Sequence, residues 1–190
     1  MDSIIEKVLI DPERLHKRIK ELGEQLTRDY NGKDLVCICI LKGAFMFTAD
    51  LTKHVALPLT TEFMAVSSYG NETFSSGTVK ILLDLKRDIS GKHVLIIEDI
   101  VDTGLTMKYL MGILTQRAPA SIKICTLLEK KNHNNVVPLD YVGFTVPHDA
   151  FVIGYGLDYA EKYRNLNYIG IIKQSVVAEN SKDTGDKLNV

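Results

Sequence analysis

The 190-residue sequence has almost no excess charge, no long apolar run and no secretory start, and each shortage excludes a class of protein. Its 23 lysine and arginine residues nearly balance 24 aspartate and glutamate residues, which leaves a formal net charge of −1. Neither nucleic acid nor a membrane surface is therefore favoured as the main partner. No apolar stretch reaches the length of a membrane span, and the first residues lack the features of a signal peptide.

Cysteine is also scarce, with Cys37, Cys39 and Cys125 making an odd count. Cys37 and Cys39 alternate with branched apolar residues, which predicts that both lie on one buried strand face as small hydrophobic side chains. The cysteines and the five histidines show no zinc-type spacing. We therefore expect a cytoplasmic protein with reduced thiols, folded as one domain over residues 1–190.

Residues 94–107 carry the most informative pattern in the chain. Four branched apolar residues, 94–97, predict a strand buried on both faces of a parallel sheet. Glu98 and Asp99 end this apolar run, a short polar loop follows, and apolar residues then recur at helical spacing. The pattern predicts a strand, a loop and the start of a helix.

Such a junction suits an anionic ligand. The first backbone N–H groups of a helix lack partners inside the helix, and Gly104 would let the backbone approach a phosphate group closely. The hydroxyls of Thr103 and Thr106 could donate further hydrogen bonds, while Glu98 and Asp99 would face sugar hydroxyls or Mg²⁺. The alternative is an ordinary Asp-Thr helix cap beside solvated acids.

The segment Val94–Met107 resembles the phosphoribosyl-pyrophosphate (PRPP) motif of type I phosphoribosyltransferases, in its hypoxanthine-guanine variant. The resemblance implies an α/β fold, with a mostly parallel twisted sheet flanked by helices and a small hood over the carboxyl edge. It implies that Glu98 and Asp99 hold ribose and Mg²⁺, and that Asp102 is the general base for the purine. The implied ribose and 5-phosphate contacts are Glu98, Asp99, Asp102, Thr103, Gly104, Leu105 and Thr106.

A second candidate segment follows the apolar run Leu35–Leu41, which predicts a central strand. Lys42 at its end is either an ordinary surface charge or a cation aimed at an anionic ligand. Leu41-Lys42-Gly43 resembles the first active-site loop of the same family. By that resemblance Lys42 and the backbone of Gly43 contact pyrophosphate.

Residues 67–78, between two predicted strands, are rich in glycine, serine and threonine. Composition alone indicates a loose hairpin connection. The alternative is a lid that closes over the reacting groups and excludes water. The resemblance matches Ser68 and Tyr69 to the lid residues of the family.

The base-binding candidates lie further along the chain. Lys130 belongs to a charge run that is usually solvated, but by resemblance it donates to the oxygen at purine C6. The stretch from residue 142 to 166 resembles the purine-binding hood, with Phe151 stacking on the base and Val152 reading it through the backbone. By the same resemblance Asp158 helps hold a second Mg²⁺ and Arg164 contacts pyrophosphate. One extra residue stands between Pro147 and Phe151, and Ala150 replaces a frequent lysine.

Local signals organise the rest of the chain. Asp11-Pro12 predicts a helix start, and the helix ends near Tyr30. Further helix and strand patterns cover residues 44–55, 60–66, 79–85, 121–128, 141–144, 151–159 and 168–172. The resemblance implies a core of about residues 30–145, a hood from the N-terminal segment and residues 146–172, and a flexible tail at 173–190.

The reaction implied by the resemblance transfers 5-phosphoribose from PRPP to hypoxanthine or guanine and yields IMP or GMP. A nucleotide-sensing RNA-binding regulator on the same fold is the alternative, although the charge balance lacks the expected basic excess. No P-loop pattern supports an NTPase, and Gly154-Tyr155-Gly156 is an incomplete dinucleotide fingerprint. The sequence leaves open whether xanthine is also a substrate and whether the protein forms a homodimer or a homotetramer.

Overall fold

The computed structural model describes residues 4–68, 79–131 and 135–176 of the chain. They fold into two sheets and three principal helices. In chain order these elements are β1 Ile5–Ile10, α1 Pro12–Asp29, β2 Leu35–Leu41, α2 Phe45–Lys53, β3 Leu59–Ser68, β4 Val79–Leu83, β5 His93–Val101, α3 Leu105–Thr115, β6 Ser121–Lys130, β7 Tyr141–Val146, β8 Val152–Ile153 and β9 Ile169–Ile172.

The main sheet has six strands in the order β4-β3-β2-β5-β6-β7. All neighbouring pairs are parallel except β3 with the edge strand β4, which is antiparallel. The apolar runs of β2 and β5 lie in the middle of the sheet, where nearly every residue is buried. The predicted α/β class with a mostly parallel sheet is confirmed.

Helices cover both faces of this sheet because successive strand residues point to opposite sides. Leu95 and Ile97 of β5 belong to the core cluster that contains α1 and α2, whereas Val94 and Ile96 pack with α3. Cys37 is buried on the first face, and burial raises the pKa of its thiol to about 12. All three cysteines are buried and free, as predicted for small core residues.

The first helix follows its sequence signals closely. The side chain of Asp11 accepts a hydrogen bond from the backbone N–H of Arg14 at 2.8 Å, and Pro12 occupies the first turn. An aspartate cap and a proline at this position both suit the unpaired N–H groups of a helix start. The predicted α1 is therefore confirmed from its start to its end at Asp29.

Strand β5 is longer than its apolar run. Backbone pairing with β6 continues past the two acids that end this run. Glu98 lies opposite Thr126, and Val101 lies opposite Glu129. The pairing carries the two carboxylates into the sheet itself rather than into a solvated loop.

A second, three-stranded antiparallel sheet has the order β1-β9-β8. Its strand β1 was not predicted, because consecutive charges at Glu6 and Lys7 mask the apolar pattern, and its partner β9 lies at the other end of the chain. The strand predicted over 151–159 is limited to β8. The chain then turns, with positive φ angles at Gly154, Tyr155 and Gly156, so the incomplete dinucleotide fingerprint does not open a helix.

The end of the described chain is attached to this small sheet. The backbone N–H of Lys173 donates to the carbonyl of Ile4 at 2.9 Å. Residues 177–190, most of the predicted flexible tail, lie outside the described residues. In the part of the chain that is described, no helix has the length and apolar character needed to cross a membrane.

Candidate active site

The loop between β5 and α3 forms an open cleft at the carboxyl edge of the main sheet. Gly104 is the N-cap of α3 and has a φ of 78°, a left-handed conformation that favours glycine. The cap is therefore a residue without a side chain, and the ordinary Asp-Thr cap considered above is not what the helix uses. The adjoining cleft has a volume of about 190 Å³ and is lined by Glu98, Ile100, Val101, Asp102, Thr103, Gly104, Leu105, Thr106 and Met107.

A neighbouring loop supports this turn from behind. The backbone N–H of Val136 donates to the carbonyl of Thr103 at 3.0 Å. A Cβ atom on Gly104 would overlap Oδ1 of Asn135, so the two loops pack closely at this glycine. Sequence reasoning missed Asn135, since no local pattern connects it with the β5–α3 junction.

The two acids at the end of β5 have different surroundings. Glu98 is 8% exposed, and burial, followed by the adjacent charge of Asp99, raises its pKa well above the ordinary value. Oδ1 of Asp99 accepts a hydrogen bond from the backbone N–H of Ile100 at 2.9 Å. Its other carboxylate oxygen lies against the Cα of Gly43, where an added Cβ would overlap it. The loop after β2 thus depends on a glycine to fit over Asp99.

A second cleft, of about 280 Å³, adjoins the first. It is lined by Asp99, Ile100, Asp102, Lys130, Ala150, Phe151, Val152, Leu157 and Asp158. The structure therefore brings the predicted base-binding residues from β6 and from the small sheet to the acids of β5. This arrangement creates one continuous site along the carboxyl edge.

Within this second cleft, Lys130 and Asp102 form an ion pair. The Nζ–Oδ2 distance is 3.6 Å, and the lysine side chain is only 20% exposed. Interpreting Lys130 as part of a solvated charge run is therefore wrong. The ring of Phe151 is held edge-on by Tyr159, with 5.7 Å between ring centroids, yet 43% of the residue stays exposed. An open aromatic surface thus lies beside a cation and a carboxylate.

The predicted pyrophosphate cations come together through an acid that sequence reasoning missed. Nζ of Lys42 lies 2.8 Å from Oε2 of Glu161, and Nη2 of Arg164 lies 3.4 Å from Oε1 of the same residue. Arg164 also pairs with Asp158 at 2.8 Å. The hydrogen bond from Lys42 lowers the pKa of Glu161. The side chain of Lys42 is largely exposed, so in this structure it is a surface charge that is paired with Glu161.

The predicted lid falls largely outside what can be described. Ser68 is the last residue of β3, and Tyr69 is the first of the residues 69–78 that are not among the described residues. The assignment of Ser68 and Tyr69 to a lid therefore stays a prediction.

The carboxylates of the site suit a hard cation. Among residues 4–68, 79–131 and 135–176, no group of three or more histidine, cysteine or acidic side chains is arranged to hold a metal alone. Mg²⁺, however, commonly binds one or two carboxylates and completes its shell with substrate phosphates and water. A cation would also favour the charged form of buried Glu98. The donor set of Glu98, Asp99 and Asp158 fits Mg²⁺ that arrives with an anionic substrate.

A comparison with protein families defines the class. Residues 9–160 match the model of the phosphoribosyl transferase domain. The chain belongs to the phosphoribosyltransferase family, and the fold described above is that of its type I members.

The individual relatives narrow the class to one branch. The chain is 54% identical over 177 residues to the hypoxanthine-guanine phosphoribosyltransferase of Bacillus subtilis, covering 93% of this chain and 98% of that protein. It is 52% identical over 180 residues to the protein of the same name from Mycobacterium tuberculosis, covering 90% and 88%. These matches confirm the predicted resemblance to the hypoxanthine-guanine branch and do not favour the RNA-binding alternative.

Solved structures that resemble this chain belong to the same branch of the family. A crystal structure of a hypoxanthine phosphoribosyltransferase from Staphylococcus aureus superposes with a TM-score of 0.89 at 48% identity, covering 93% of this chain and 96% of that chain. A Trypanosoma cruzi hypoxanthine phosphoribosyltransferase gives a TM-score of 0.88 at 45% identity, covering 95% and 97%.

Proposed function

We propose that the protein transfers 5-phosphoribose from PRPP to N9 of hypoxanthine or guanine, giving IMP or GMP and pyrophosphate. The observation that carries this proposal is the shared cleft of Asp102, Lys130 and Phe151 beside the glycine-capped start of α3. A purine and a sugar phosphate are the two ligands that these neighbouring clefts suit. The relatives' names point to the same reaction.

The sugar phosphate belongs at the β5–α3 junction. Backbone N–H groups at the start of α3 and the hydroxyls of Thr103 and Thr106 would hold the 5-phosphate, since this end of a helix favours negative charge. Gly104 and the backbone of Leu105 would complete the cradle. Glu98 and Asp99 would accept hydrogen bonds from the ribose hydroxyls.

The purine belongs between Lys130 and Phe151. Lys130 offers only donors, so it would recognise the oxygen at C6 of a 6-oxopurine and disfavour the amine of adenine. Phe151 would stack on the base, and Val152 would contact it through the backbone. Asp102, which already pairs with Lys130, would accept the proton from N7 as general base.

The remaining step of the reaction is the departure of pyrophosphate. The ribose passes through an oxocarbenium-like transition state, so charge on the leaving group must be stabilised. Lys42, the backbone of Gly43 and Arg164 would do so, and the pairs of Lys42 and Arg164 with Glu161 would exchange for pairs with the ligand. Closure of the lid residues Ser68 and Tyr69 would exclude water from the reacting groups.

Mg²⁺ is the expected cofactor. Glu98 and Asp99 would hold one ion, largely through its water shell, and Asp158 would help to hold a second. When bound, the metal supplies positive charge to the pyrophosphate oxygens.

The direct test is to incubate the protein with PRPP, Mg²⁺ and each purine base in turn, and to measure nucleoside monophosphate. We expect IMP and GMP with hypoxanthine and guanine, and little AMP with adenine. A xanthine reaction in the same series decides whether that base is a substrate. Absence of IMP and GMP, with pure and folded protein, would refute the proposal.

We also propose a homo-oligomer. Phe63 of β3 pairs in register with Cys39, which places it on the sheet face that α2 covers, and Phe45 begins α2 beside the Lys42 loop. Both are large apolar residues that are more than 40% exposed, and exposed apolar surface of this kind is typical of subunit contacts. Sedimentation analysis should show a dimer or tetramer, and Phe63→Ser should shift it towards smaller species.

The three free, buried cysteines support a cytoplasmic location, where thiols stay reduced. We further propose that the chain works as one domain, with residues of about 30–145 as core and residues 146–172 with the N-terminal segment as hood. Fractionation of cells that produce the protein would test the location.

A further inference from the structure

A buried tyrosine connects the small sheet region to helix α2. The hydroxyl of Tyr155 donates to Oδ2 of Asp50 at 2.6 Å, and the tyrosine is 6% exposed. Asp50 also pairs with Lys53 at 2.8 Å. Burial alone would raise the pKa of Asp50, but the hydrogen bonds from Lys53 and Tyr155 outweigh it and the pKa is lowered. The contact is therefore a charge-assisted hydrogen bond, the stronger class of such bonds.

The backbone around Tyr155 is held in an uncommon conformation. Its φ is 50°, in the left-handed region that residues with a side chain rarely adopt. Backbone N–H groups of Tyr155 and Gly156 donate to the carbonyls of Leu166 and Arg164, both at 2.9 Å. Nη1 of Arg164 in turn donates to the carbonyl of Gly156 at 2.9 Å. The backbone conformation at Tyr155 thus determines where the backbone and the side chain of Arg164 are held.

The same segment packs closely against the loop after β2. A Cβ atom on Gly156 would overlap the carbonyl oxygen of Gly43, and a Cβ atom on Gly43 would overlap the carboxylate of Asp99. Lys42 and Gly43 come just before α2, the helix that carries Asp50. Two segments therefore meet at two points: the tyrosine–aspartate hydrogen bond and the close approach of the two glycines.

We infer that Asp50 and Tyr155 form a positioning pair that aligns the two halves of the pyrophosphate subsite. One half, with Lys42 and Gly43, precedes α2; the other, with Arg164, follows Tyr155. Neither Asp50 nor Tyr155 lines either of the two clefts of the site. Their loss should weaken the handling of PRPP and pyrophosphate more than that of the purine, because Lys130 is carried by β6 and Val152 is fixed by the pairing of β8 with β9. This inference rests on the proposed function.

The chain offers a matched control for a purely structural role. The hydroxyl of Tyr141 donates to Oδ2 of Asp29 at 2.9 Å, which is also a buried tyrosine bonded to an aspartate of a helix. Tyr141 begins β7, at the opposite, amino edge of the sheet. Tyr155→Phe and Tyr141→Phe each remove one hydroxyl and keep the ring.

The experiment measures the steady-state KM for PRPP, the KM for hypoxanthine and the thermal unfolding midpoint of both variants. We expect both to lower the midpoint by about 2–4 °C. Only Tyr155→Phe should raise the KM for PRPP, by about 5- to 20-fold, which is less than the full loss of a hydrogen bond to a charged group because the pair acts on PRPP only through the alignment of the subsite. Its KM for hypoxanthine should stay within about twofold of wild type.

Variants at the acceptor keep the test decisive if Tyr155→Phe folds poorly. Asp50→Asn retains an acceptor oxygen but loses the charge, so its PRPP defect should be smaller than that of Asp50→Ala, which should reproduce the defect of Tyr155→Phe. The inference is overturned if Asp50→Ala or Tyr155→Phe leaves the KM for PRPP unchanged, or changes both KM values equally. Wild-type protein that makes no IMP would overturn the proposed function and the inference with it, so the two failures are distinct.

Discussion

Replacing Gly43 by alanine tests the close packing of the Lys42–Gly43 loop against Asp99. A Cβ atom there would fall inside the van der Waals radius of Oδ2 of Asp99, and the three nearest atoms all belong to that carboxylate. Restoring an ordinary separation of about 3.5 Å requires the carboxylate or the Lys42–Gly43 loop to move by roughly 2 Å. Displacements of this size near reacting groups commonly cost about 10²-fold in rate, or about 2.7 kcal/mol in the barrier.

The assay is kcat/KM for PRPP, measured with saturating hypoxanthine. Gly43→Ala should lower it by about 10²-fold, whereas Gly112→Ala, an exposed helical glycine with free space around it, should leave it unchanged. If the damage acts through Asp99, the same alanine should cost much less in an Asp99→Ala background, because the obstructed carboxylate is gone. Wild-type kinetics for Gly43→Ala, or an equal loss in both backgrounds, would refute the reasoning.

Three further outcomes are expected. Asp102→Asn should lower kcat by about 10²- to 10⁴-fold and leave PRPP binding mostly intact, and unchanged turnover would remove its role as base. Lys130→Ala should raise the KM for hypoxanthine more than that for PRPP; equal losses would count against base recognition. Arg117 donates hydrogen bonds to both carboxylate oxygens of Asp84 and thereby lowers the pKa of Asp84. This pair therefore stabilises the fold at pH values above the unfolded pKa of 3.8. The stabilisation is lost as the pH falls through the pKa of the folded state. Asp84→Asn should therefore cost about 0.5–1 kcal/mol of unfolding free energy at pH 7, since the pair is partly exposed, and chemical denaturation should show this difference shrinking as the pH falls below 3.8.

The β5–α3 junction could be predicted because its signals are local. Four branched apolar residues, a polar loop with Gly104 and a helical repeat all lie within one short segment. The length of the strand could not be predicted in the same way, since the parallel pairing of Glu98 with Thr126 depends on a segment outside it. Local pattern finds such a turn, but backbone pairing decides where the acids lie.

The purine cleft could not be derived from pattern alone. Lys130, Phe151 and Asp102 are separate in the sequence, and the order of the strands brings them together. Only the family resemblance placed them at one site. Glu161 and Asp50 were missed for a further reason: each is an ordinary surface-type acid whose importance lies in a partner on a distant element.

The small sheet was the least predictable element. Its strand β1 has no apolar alternation of its own and is defined by pairing with β9, near the far end of the chain. Pairing between segments so far apart in the sequence produces no local pattern from which the strand could be predicted. The N-terminal segment was assigned to the hood by resemblance only, without being identified as a strand.

That pairing has a consequence during synthesis. Ile5 leaves the ribosome before any strand of the main sheet, yet its partner Ile172 is made only after all of them. The main sheet can assemble from β2 to β7 while the nascent chain grows, but the wall of the purine cleft has to wait for the final strand. A newly made chain should therefore gain its compact core well before it can close around a nucleobase, and premature termination after β7 should leave a folded but inactive fragment.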